Sequence, residues 1–323
     1  MALKDDILSA LEENRGSFVS GQTLAEKLGV SRAAVNKAVA ALKESGCRIE
    51  SATNRGYRLS ADELSEAGVR AALPEKYRDI GVVVLRETDS TNNEAKRLLS
   101  AGRTGTFLVT AESQTGGRGR RGRSFASPSG EGAYLTLAVR ADASITDAVS
   151  STTRAATATA LALEKLTGEK MSIKWVNDIY YKDKKICGIL TEAVSDFESG
   201  VTQTLIIGIG VNMRSEGLPA ELRDVAGALD REGLTRCEVI GAVAAKTLDL
   251  VADLADRSYL DAYRERSLVL GREVTFSGGG FESRSGLAVD IDGDGGLVVR
   301  LPDGTEKTLR SGEITLRVKR EGP

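Results

Sequence analysis

The sequence predicts an α+β protein of several domains, with a small helical domain first, a larger α/β domain with a mixed sheet in the middle, and a small β-barrel last. Three patterns predict this order. Helical spacing of apolar residues and one short hairpin fill the first sixty positions, and strand and helix patterns then alternate over about two hundred residues. Short strands separated by turns end the chain. We place the domains at 1–62, 63–266 and 267–323.

The amino-acid composition excludes several classes of enzyme and of site. No histidine occurs among the 323 residues, which excludes Ser-His-Asp and Cys-His hydrolases and removes the commonest ligand of zinc and iron. The three cysteines (Cys47, Cys187 and Cys237) have no CxxC spacing, and so few thiols are typical of a reducing compartment. The sequence has neither a signal-peptide pattern at its start nor an apolar stretch of bilayer length. We therefore expect a cytoplasmic protein with no membrane association.

Three helical patterns and a hairpin make up the first domain. Apolar spacing predicts a first helix from Leu3, a second over Gln22–Leu28 that ends in a glycine turn, and a third that begins at the N-cap Ser31. Two short strands, Cys47–Ser51 and Tyr57–Leu59, flank a turn and form the hairpin. Two helices joined by a tight turn and followed by such a hairpin are typical of a winged helix-turn-helix.

The charge of this domain indicates its partner. Between residues 31 and 60 there are six basic and two acidic residues, a local net charge of +4. A basic helix face and a basic hairpin tip suit phosphate contacts, and Arg32 and Asn36 can reach base edges. We predict that DNA is bound by Arg32, Asn36, Lys37 and Arg55. The alternative is a winged helix that makes protein contacts.

A polar segment follows the first strand of the middle domain. After the strand Val82–Leu85, Thr91-x-x-Glu94 is typical of a capping box, which places Ser90, Thr91 and Asn92 at the N-terminus of a helix. Unpaired N–H groups beside short polar side chains can hold an amide, a ureido group or an anion. Most helix caps do no chemistry, so this pattern indicates a ligand only together with others.

A loop rich in glycine and arginine separates two predicted strands, Thr106–Glu112 and Ala133–Arg140. Its core, Gly117-Arg-Gly-Arg-Arg-Gly-Arg123, contains no acidic residue. Such a segment cannot form a core, whereas glycine lets the backbone approach phosphates and arginine binds them through forked hydrogen bonds. We predict that the loop closes over phosphates. A nuclear-localisation-like run or a nucleic-acid patch is the alternative, which the position between two strands disfavours.

A lysine begins an apolar strand later in the middle domain. The strand end Ser172–Asp178 leads into a hairpin over 179–190, and Lys185 is expected to point inward there, where a lysine needs an anionic partner. A further central strand, Thr204–Met213, carries Asn212 near its end. There is no GxxxxGK[ST] motif that would indicate a P-loop.

From residue 267 the pattern changes to short strands that suggest a small barrel. They are predicted over Arg272–Ser277, Gly286–Ile291, Gly296–Leu301 and Glu306–Leu309. The segment Asp290-x-Asp292-x-Asp294-Gly295 resembles the start of an EF-hand loop. Leu301, however, stands at its twelfth position, where the loop needs Glu, and strands rather than helices flank it. We therefore predict a hairpin turn and not a calcium site.

Four motifs occur together and in order: Asp89-Ser-Thr-Asn92, Gly117–Arg123, Lys174-Trp-x-Asn-Asp178 and Lys185-Ile-Cys-Gly-Ile-Leu190. The set resembles the bifunctional biotin protein ligases that also repress the biotin operon, and the resemblance spans essentially the whole chain. It implies a biotin/lipoate-ligase-like catalytic domain in the middle. It also implies an SH3-like C-terminal barrel that assists binding of ATP and of the carrier protein.

The resemblance implies a reaction in two steps. The carboxylate of biotin attacks the α-phosphate of ATP, with Mg²⁺, to give biotinyl-5′-AMP and pyrophosphate. A lysine of the biotin carboxyl carrier protein then attacks the mixed anhydride and releases AMP. Neither step needs an enzyme nucleophile, so catalysis would rest on positioning and on stabilising phosphoryl charge. As co-repressor, biotinyl-5′-AMP would order the arginine loop and favour a homodimer that binds a palindromic operator.

The resemblance also assigns roles to residues. Lys185 would bridge the biotin carboxylate and the α-phosphate, and would be catalytic together with Arg118 and Arg120. Biotin would be bound by Ser90, Thr91, Asn92, Gln114, Arg118, Gly119, Arg120 and Lys185. ATP and the adenylate would be bound by Arg118, Arg120, Arg121, Arg123, Lys174, Asn177, Asp178 and Asn212. Asp178 would also be the Mg²⁺ ligand.

Two positions depart from the family pattern. Val176 stands where the family usually has proline. The replacement removes no functional group, so we expect the enzyme to remain active. No aromatic residue near Asp224–Leu229 matches the one that covers adenine in some members.

Two other functions stay open. One is a ligand-sensing transcription factor without turnover, which the presence of Lys185 and the whole arginine loop disfavours. The other is a lipoate-attaching enzyme, which the same loop and the terminal barrel disfavour.

Overall fold

The computed structural model describes residues 3–44, 47–60, 62–143, 147–195, 202–278, 281–310 and 313–316. The chain divides into two compact units. One unit is Met1–Arg78 with Glu232–Gly241, and the other is Asp79–Arg231 with Ala242–Pro323. In the described residues, no helix combines the length and the apolar character needed to cross a membrane.

The first unit begins with three helices and an antiparallel hairpin. Their bounds are α1 Leu3–Glu12, α2 Gly21–Leu28, α3 Arg32–Glu44, β1 Ile49–Ala52 and β2 Gly56–Leu59. The N-cap Ser20 accepts a hydrogen bond from the Thr23 amide, and Gly29 ends α2 with a φ of 65°. Val35, Val39 and Leu42 form the buried stripe of α3. The predicted helix-turn-helix with its hairpin is therefore confirmed.

The segment after the hairpin is more ordered than its sequence indicates. The sequence predicts a plain link over Ala61–Pro74, but the structure forms helix α4, Glu66–Ala72, within it. Asp62 accepts hydrogen bonds from the backbone N and from Nε of Arg236, at 2.7 and 3.2 Å, and Arg236 is fully buried. Because these partners are far apart in the chain, local patterns could not predict that the segment is fixed.

The second unit is built on a sheet of seven strands, which is mixed as the sequence predicts. Its strands are β3 Gly81–Thr88, β4 Phe107–Gln114, β5 Gly132–Ala143, β6 Ser172–Lys174, β7 Asp178–Tyr181, β8 Lys184–Ser195 and β9 Thr202–Asn212. They are arranged in the order β3-β4-β5-β9-β8-β7-β6. The β3–β4 pair is parallel and the other neighbouring pairs are antiparallel, so two long antiparallel pairs, β5–β9 and β8–β9, form its centre.

Four further α-helices occur in the described part of the chain, and the longest of them is buried against the sheet. The helices are α5 Thr91–Ser100, α6 Asp147–Thr167, α7 Arg236–Val251 and α8 Tyr259–Glu265. The sequence predicts α6 over Ser150–Leu166. The hydroxyls of Thr157, Thr159 and Thr167 donate to backbone carbonyls four residues earlier, at 2.9, 2.7 and 2.7 Å, so these buried hydroxyls are satisfied within the helix.

A buried arginine ties α6 to the end of α7 and to the residues that follow it. Arg154 is 1% exposed, and its guanidinium donates to the backbone oxygens of Leu250 at 3.0 Å, Leu254 at 2.8 Å and Asp256. Arg154→Met would leave these oxygens unpaired, and each buried unpaired group costs about 1–3 kcal/mol, so we expect the free energy of unfolding to fall by about 3 kcal/mol. Scanning calorimetry measures it, with Arg272→Met at an exposed position as control. Equal melting temperatures for the two variants contradict this role.

The C-terminal strands form a separate antiparallel sheet in the same unit. They are β10 Glu273–Gly278, β11 Phe281–Ile291, β12 Leu297–Arg300, β13 Glu306–Leu309 and β14 Glu313–Leu316, in the order β13-β12-β11-β10-β14. Sequence patterns predict the first four but not β14. Over the described residues β13 and β14 are edges and the sheet is open, so closure into a barrel stays a prediction.

The aspartate-rich segment of this sheet is the predicted hairpin turn between β11 and β12. Asp292 accepts hydrogen bonds from the backbone amides of Asp294 and Gly296, at 2.9 and 2.8 Å, and Gly295 has a φ of 83°. Arg310 pairs with the Asp292 carboxylate at 2.8 Å. The carboxylate thus stabilises the turn itself.

Candidate functional site

Two adjoining cavities lie in the second unit, at the seven-stranded sheet and the arginine loop. Their volumes are about 200 and 30 Å³, and Arg118, Phe125 and Gly188 line both. The predicted site residues divide between them. The small cavity is lined by Ser90, Thr91, Asn92, Gln114 and Arg118. The large cavity is lined by Arg118, Gly119, Arg120, Arg121, Arg123, Lys174, Asn177, Asp178 and Lys185.

The first turn of α5 lines the small cavity, but the predicted capping box is wrong. The helix begins at Thr91, yet its N-cap Ser90 makes no side-chain cap hydrogen bond, and Glu94 pairs with Arg97 at 2.5 Å. The Thr91 amide instead donates to Oε1 of Gln114, at the end of β4, at 2.9 Å. A partner from another element thus replaces the local cap, and this brings Gln114 to the cavity.

Hydrogen bonds fix the other polar groups of this small cavity. Nε2 of Gln114 donates to Oγ of Ser127 at 2.8 Å, and Oγ1 of Thr136 donates to Oδ1 of Asn92 at 2.7 Å. Asp89 accepts from the Ser90 amide at 2.8 Å, and a hydrogen bond from Arg97 holds the pKa of Asp89 well below its usual value. The amides therefore point in fixed directions before any ligand binds.

Strand glycines form the wall of the cavities, and sequence patterns did not predict this role. A Cβ on Gly208 would lie 2.1 Å from Oδ1 of Asn92, and one on Gly210 would lie 2.5 Å from the ring of Phe125. Glycine inside a strand often marks a close approach of another group. Gly188, Gly208 and Gly210 in apolar strands are therefore a signal that could have indicated the wall, whereas nothing in the sequence indicates the role of Phe125.

The arginine loop surrounds the large cavity with positive charge. The loop is held by backbone hydrogen bonds from Phe125 to Gly117 at 2.9 Å and from Gly119 to Arg123 at 2.7 Å. Among the described residues, its four arginines, Lys174 and Lys185 line the cavity together with a single carboxylate, that of Asp178. Six cations around one anion suit a ligand with several phosphate groups.

Lys185 has the anionic partner that its position in the sequence predicts. Its Nζ lies 2.8 Å from Oδ1 of Asp178, and its side chain is 33% exposed. The β7–β8 hairpin brings the two residues together because Lys185 lies opposite Tyr180, which is two residues from Asp178 on β7. Backbone hydrogen bonds from Lys185 to Val225 and from Gly227 to Lys185, at 3.1 and 2.8 Å, fix the main chain there.

The Lys174–Asp178 motif contacts the loop and the C-terminal sheet. Arg120 donates to Oδ1 of Asn177 at 3.3 Å, and Nδ2 of Asn177 donates to the Ile189 oxygen at 2.9 Å. The indole N–H of Trp175 donates to the Gly295 oxygen at 3.0 Å. Ile314 of β14 also lines the large cavity. Sequence patterns do not indicate this residue because they do not predict its strand.

Asn212 lies outside the lining of both cavities. Its Nδ2 donates to the Gly227 oxygen at 2.9 Å, and its backbone oxygen accepts from the Leu229 amide at 3.0 Å. These bonds hold the segment that follows β9. Its predicted contact with the nucleotide stays a prediction.

The predicted DNA-binding residues form an exposed face of the first unit. Arg32, Asn36, Lys37 and Arg55 are all exposed. The Tyr57 hydroxyl donates to Oδ1 of Asn36 at 2.6 Å, which links the hairpin to α3. The Arg55 guanidinium lies 4.2 Å from the centre of the Phe18 ring. The first contact ties the hairpin to α3, and the second ties it to the segment before α2.

Comparison with known proteins matches all three regions. A family model described as HTH domain matches residues 4–58, the Biotin/lipoate A/B protein ligase family matches 84–212, and the Biotin protein ligase C terminal domain matches 269–317. The chain is 30% identical to the bifunctional ligase/repressor BirA of Bacillus spizizenii, over 97% of this chain and 98% of that protein. It is 31% identical to BirA of Escherichia coli, over 94% of each.

A solved structure has a similar fold. The chain is similar to the biotin protein ligase from Aquifex aeolicus in complex with biotin and ATP, with 28% sequence identity and a TM-score of 0.60. The match covers 73% of this chain and 98% of that one.

Proposed function

Because the chain belongs to the family of bifunctional biotin ligase/repressors, we propose that it attaches biotin to the biotin carboxyl carrier protein at the expense of ATP and represses biotin genes. The observation that carries the ligase activity is the pair of adjoining cavities. The small one presents oriented amides at a helix N-terminus, which suits a ureido ring, and the large one presents six cations, which suits a triphosphate.

In the first step a carboxylate oxygen of biotin bonds to the α-phosphorus of ATP, and the bond from that phosphorus to pyrophosphate breaks. Negative charge grows on the phosphoryl oxygens and on the leaving group. Lys185, Arg118 and Arg120 stabilise it, with Lys185 between the carboxylate and the α-phosphate. The ion pair with Asp178 keeps the ammonium group in place before the substrates arrive.

In the second step the amine of the carrier lysine attacks the acyl carbon of biotinyl-5′-AMP. An amide forms, the bond to AMP breaks, and the lysine loses a proton. The protein contributes position rather than a nucleophile, since the arginine loop and the α5 amides hold the two ends of the adenylate.

The residues of the large cavity fit a Mg²⁺ ion that binds together with the nucleotide. Within the described part of the chain no group of three or more His, Cys, Asp or Glu side chains could hold a metal. Mg²⁺ commonly binds through one or two carboxylates plus substrate phosphates, and Asp178 is the carboxylate available at this cavity. When bound, the ion neutralises charge on the phosphate oxygens.

The C-terminal sheet would complete the nucleotide side of the site. Ile314 lines the large cavity, and the Trp175 indole is hydrogen-bonded to the β11–β12 turn. We propose that this sheet closes as an SH3-like barrel and assists binding of ATP and of the carrier protein.

The ligase activity is tested by incubating the purified protein with biotin, ATP and Mg²⁺. Biotin-dependent exchange of labelled pyrophosphate into ATP and retention of biotinyl-5′-AMP on the protein support the proposal. Lipoate in place of biotin separates it from a lipoate-attaching enzyme. Absence of exchange with either acid would leave a ligand-sensing transcription factor.

Repression would rest on the basic face of the first unit. Biotinyl-5′-AMP is the proposed co-repressor. It would order the arginine loop and favour a homodimer, so that two helix-turn-helix units reach the two halves of a palindromic operator.

Arg55→Ala tests the DNA contacts. Arg55 is exposed at the hairpin and would contact phosphate, so we expect weaker binding to all DNA sequences and a salt slope reduced by about 1. Fluorescence anisotropy with operator DNA between about 50 and 200 mM salt, in the presence of biotin and ATP, measures both. Lys27→Ala, at an exposed lysine of α2 that pairs with Glu13, is the control. An equal change of the salt slope in both variants would show that Arg55 of the hairpin does not contact the DNA.

A further inference from the structure

Glu192 of β8 lies beside the small cavity, and three donors converge on its carboxylate. Nδ2 of Asn92 donates to Oε2 at 2.9 Å, and Nζ of Lys96 donates to Oε1 at 2.7 Å. The guanidinium of Arg118 lies 3.5 Å from Oε1. The donors come from the first and second turns of α5 and from the arginine loop, so one carboxylate joins two elements that line the cavity.

The Glu192 carboxylate determines the orientation of the Asn92 side-chain amide. An ionised carboxylate only accepts hydrogen bonds, so the NH₂ group of Asn92 must face Glu192 and its oxygen must face the hydroxyl of Thr136. Burial raises the pKa of Glu192, but the hydrogen bonds from Lys96 and Asn92 outweigh it and the pKa is lowered overall. Glu192 therefore stays ionised and keeps the amide in one orientation.

The same carboxylate holds Arg118 where the two cavities meet. Arg118 lines both cavities, and besides its contact with Glu192 it donates to Oδ1 of Asn93 at 3.0 Å. The contact therefore holds Arg118 at the junction of the two cavities.

We propose that Glu192 is a positioning residue for biotin, which orients Asn92 and holds Arg118 at the junction of the two cavities. The role rests on the proposed ligase function. Glu192 does not touch the reacting atoms. It acts through the two side chains that meet the ring and the carboxylate end of the substrate.

Glu192→Gln tests the role in the full-length protein. The glutamine keeps the shape, removes the charge and places a donor where an acceptor is needed. We expect the KM for biotin in pyrophosphate exchange to rise about tenfold or more, with kcat changed less than about threefold, because Asn92 and Arg118 lose the charged partner that orients them before biotin binds. The control is Glu94→Gln on α5, where Glu94 pairs with exposed Arg97. Unchanged KM in Glu192→Gln overturns the proposal.

A double variant separates positioning from simple charge balance. Lys96→Met together with Glu192→Gln removes both members of the 2.7 Å ion pair, so the stability cost of an unpaired Lys96 disappears. A KM that stays raised in a double variant with a normal melting temperature supports positioning. A KM that returns to that of the unsubstituted protein shows that Glu192 only balances Lys96, and the proposal fails.

Trypsin provides a readout that needs no activity. Cleavage within residues 117–123 of the free protein should be faster in Glu192→Gln than in Glu94→Gln, since Arg118 loses its anchor, and biotin with ATP should slow it in both. Equal cleavage rates in the two variants would show that Glu192 does not hold Arg118 in place, and the proposal fails. Failure of the ligase proposal is distinguishable, because the unsubstituted protein would then show no biotin-dependent exchange at all.

Discussion

Lys185→Ala is expected to reduce biotin-dependent pyrophosphate exchange by about a thousandfold. The ammonium group is the cation placed between the two reacting anions, and the loss of one preorganised donor at such a position commonly costs about 10²–10³ in rate. Because the ammonium group of Lys185 carries a full positive charge, we expect an effect at the upper end of this range. Titration calorimetry should show that biotin still binds, because the amides of the small cavity remain.

The neighbouring lysine provides a matched control. Lys184 is exposed, and its Nζ donates to the Arg223 backbone oxygen at 2.7 Å, away from the two cavities of the site. Lys184→Ala should keep the exchange rate of the unsubstituted protein. Lys185→Arg keeps the charge and should recover part of the rate. Exchange within about tenfold of normal in Lys185→Ala would show that another group supplies the charge.

Gly208→Ala is expected to weaken biotin binding by about a hundredfold and to lower the melting temperature. Gly208 lies inside β9 without a left-handed backbone, so alanine is tolerated by the main chain. Its methyl group would lie 2.1 Å from Oδ1 of Asn92, and Asn92 would have to move. Overpacking of this kind costs about 1–3 kcal/mol, and here the displaced group also belongs to the ligand site.

A second glycine separates the local clash from a general effect of the substitution. Gly293 is exposed, a methyl group there would meet nothing within 4 Å, and its φ is not left-handed either. Gly293→Ala should leave biotin affinity and melting temperature unchanged. Titration calorimetry and circular dichroism on both variants make the comparison. Normal biotin affinity in Gly208→Ala would mean that Asn92 does not contribute to the pocket.

Predictions from the sequence succeed where local patterns decide the structure. The stripe of α3 and the glycine turn before it define the helix-turn-helix, and an inward lysine at the start of β8 required an anion, which Asp178 supplies. The arginine loop lines a cavity, as expected of a segment whose composition allows no role in a core. These features depend on neighbours within a few residues.

The features that the sequence does not predict depend on partners that are distant in the chain. The N-terminus of α5 is satisfied by Gln114, 23 residues away, so the local capping pattern is misleading. The Phe125 ring fits against Gly210 of another element, and its sequence neighbours give no indication of this. The role of Asp62 depends on Arg236, 174 residues later. Patterns in a single sequence contain no information about such pairs.

The Asp62–Arg236 pair also has a consequence for synthesis of the protein on the ribosome. Glu232–Gly241 belongs to the same compact unit as the first 78 residues, so that unit is incomplete until these ten residues have left the ribosome. At about 5–20 residues per second, the interval between Arg78 and Gly241 is roughly 10–30 s. During this time the carboxylate of Asp62 has not yet formed its hydrogen bonds with Arg236.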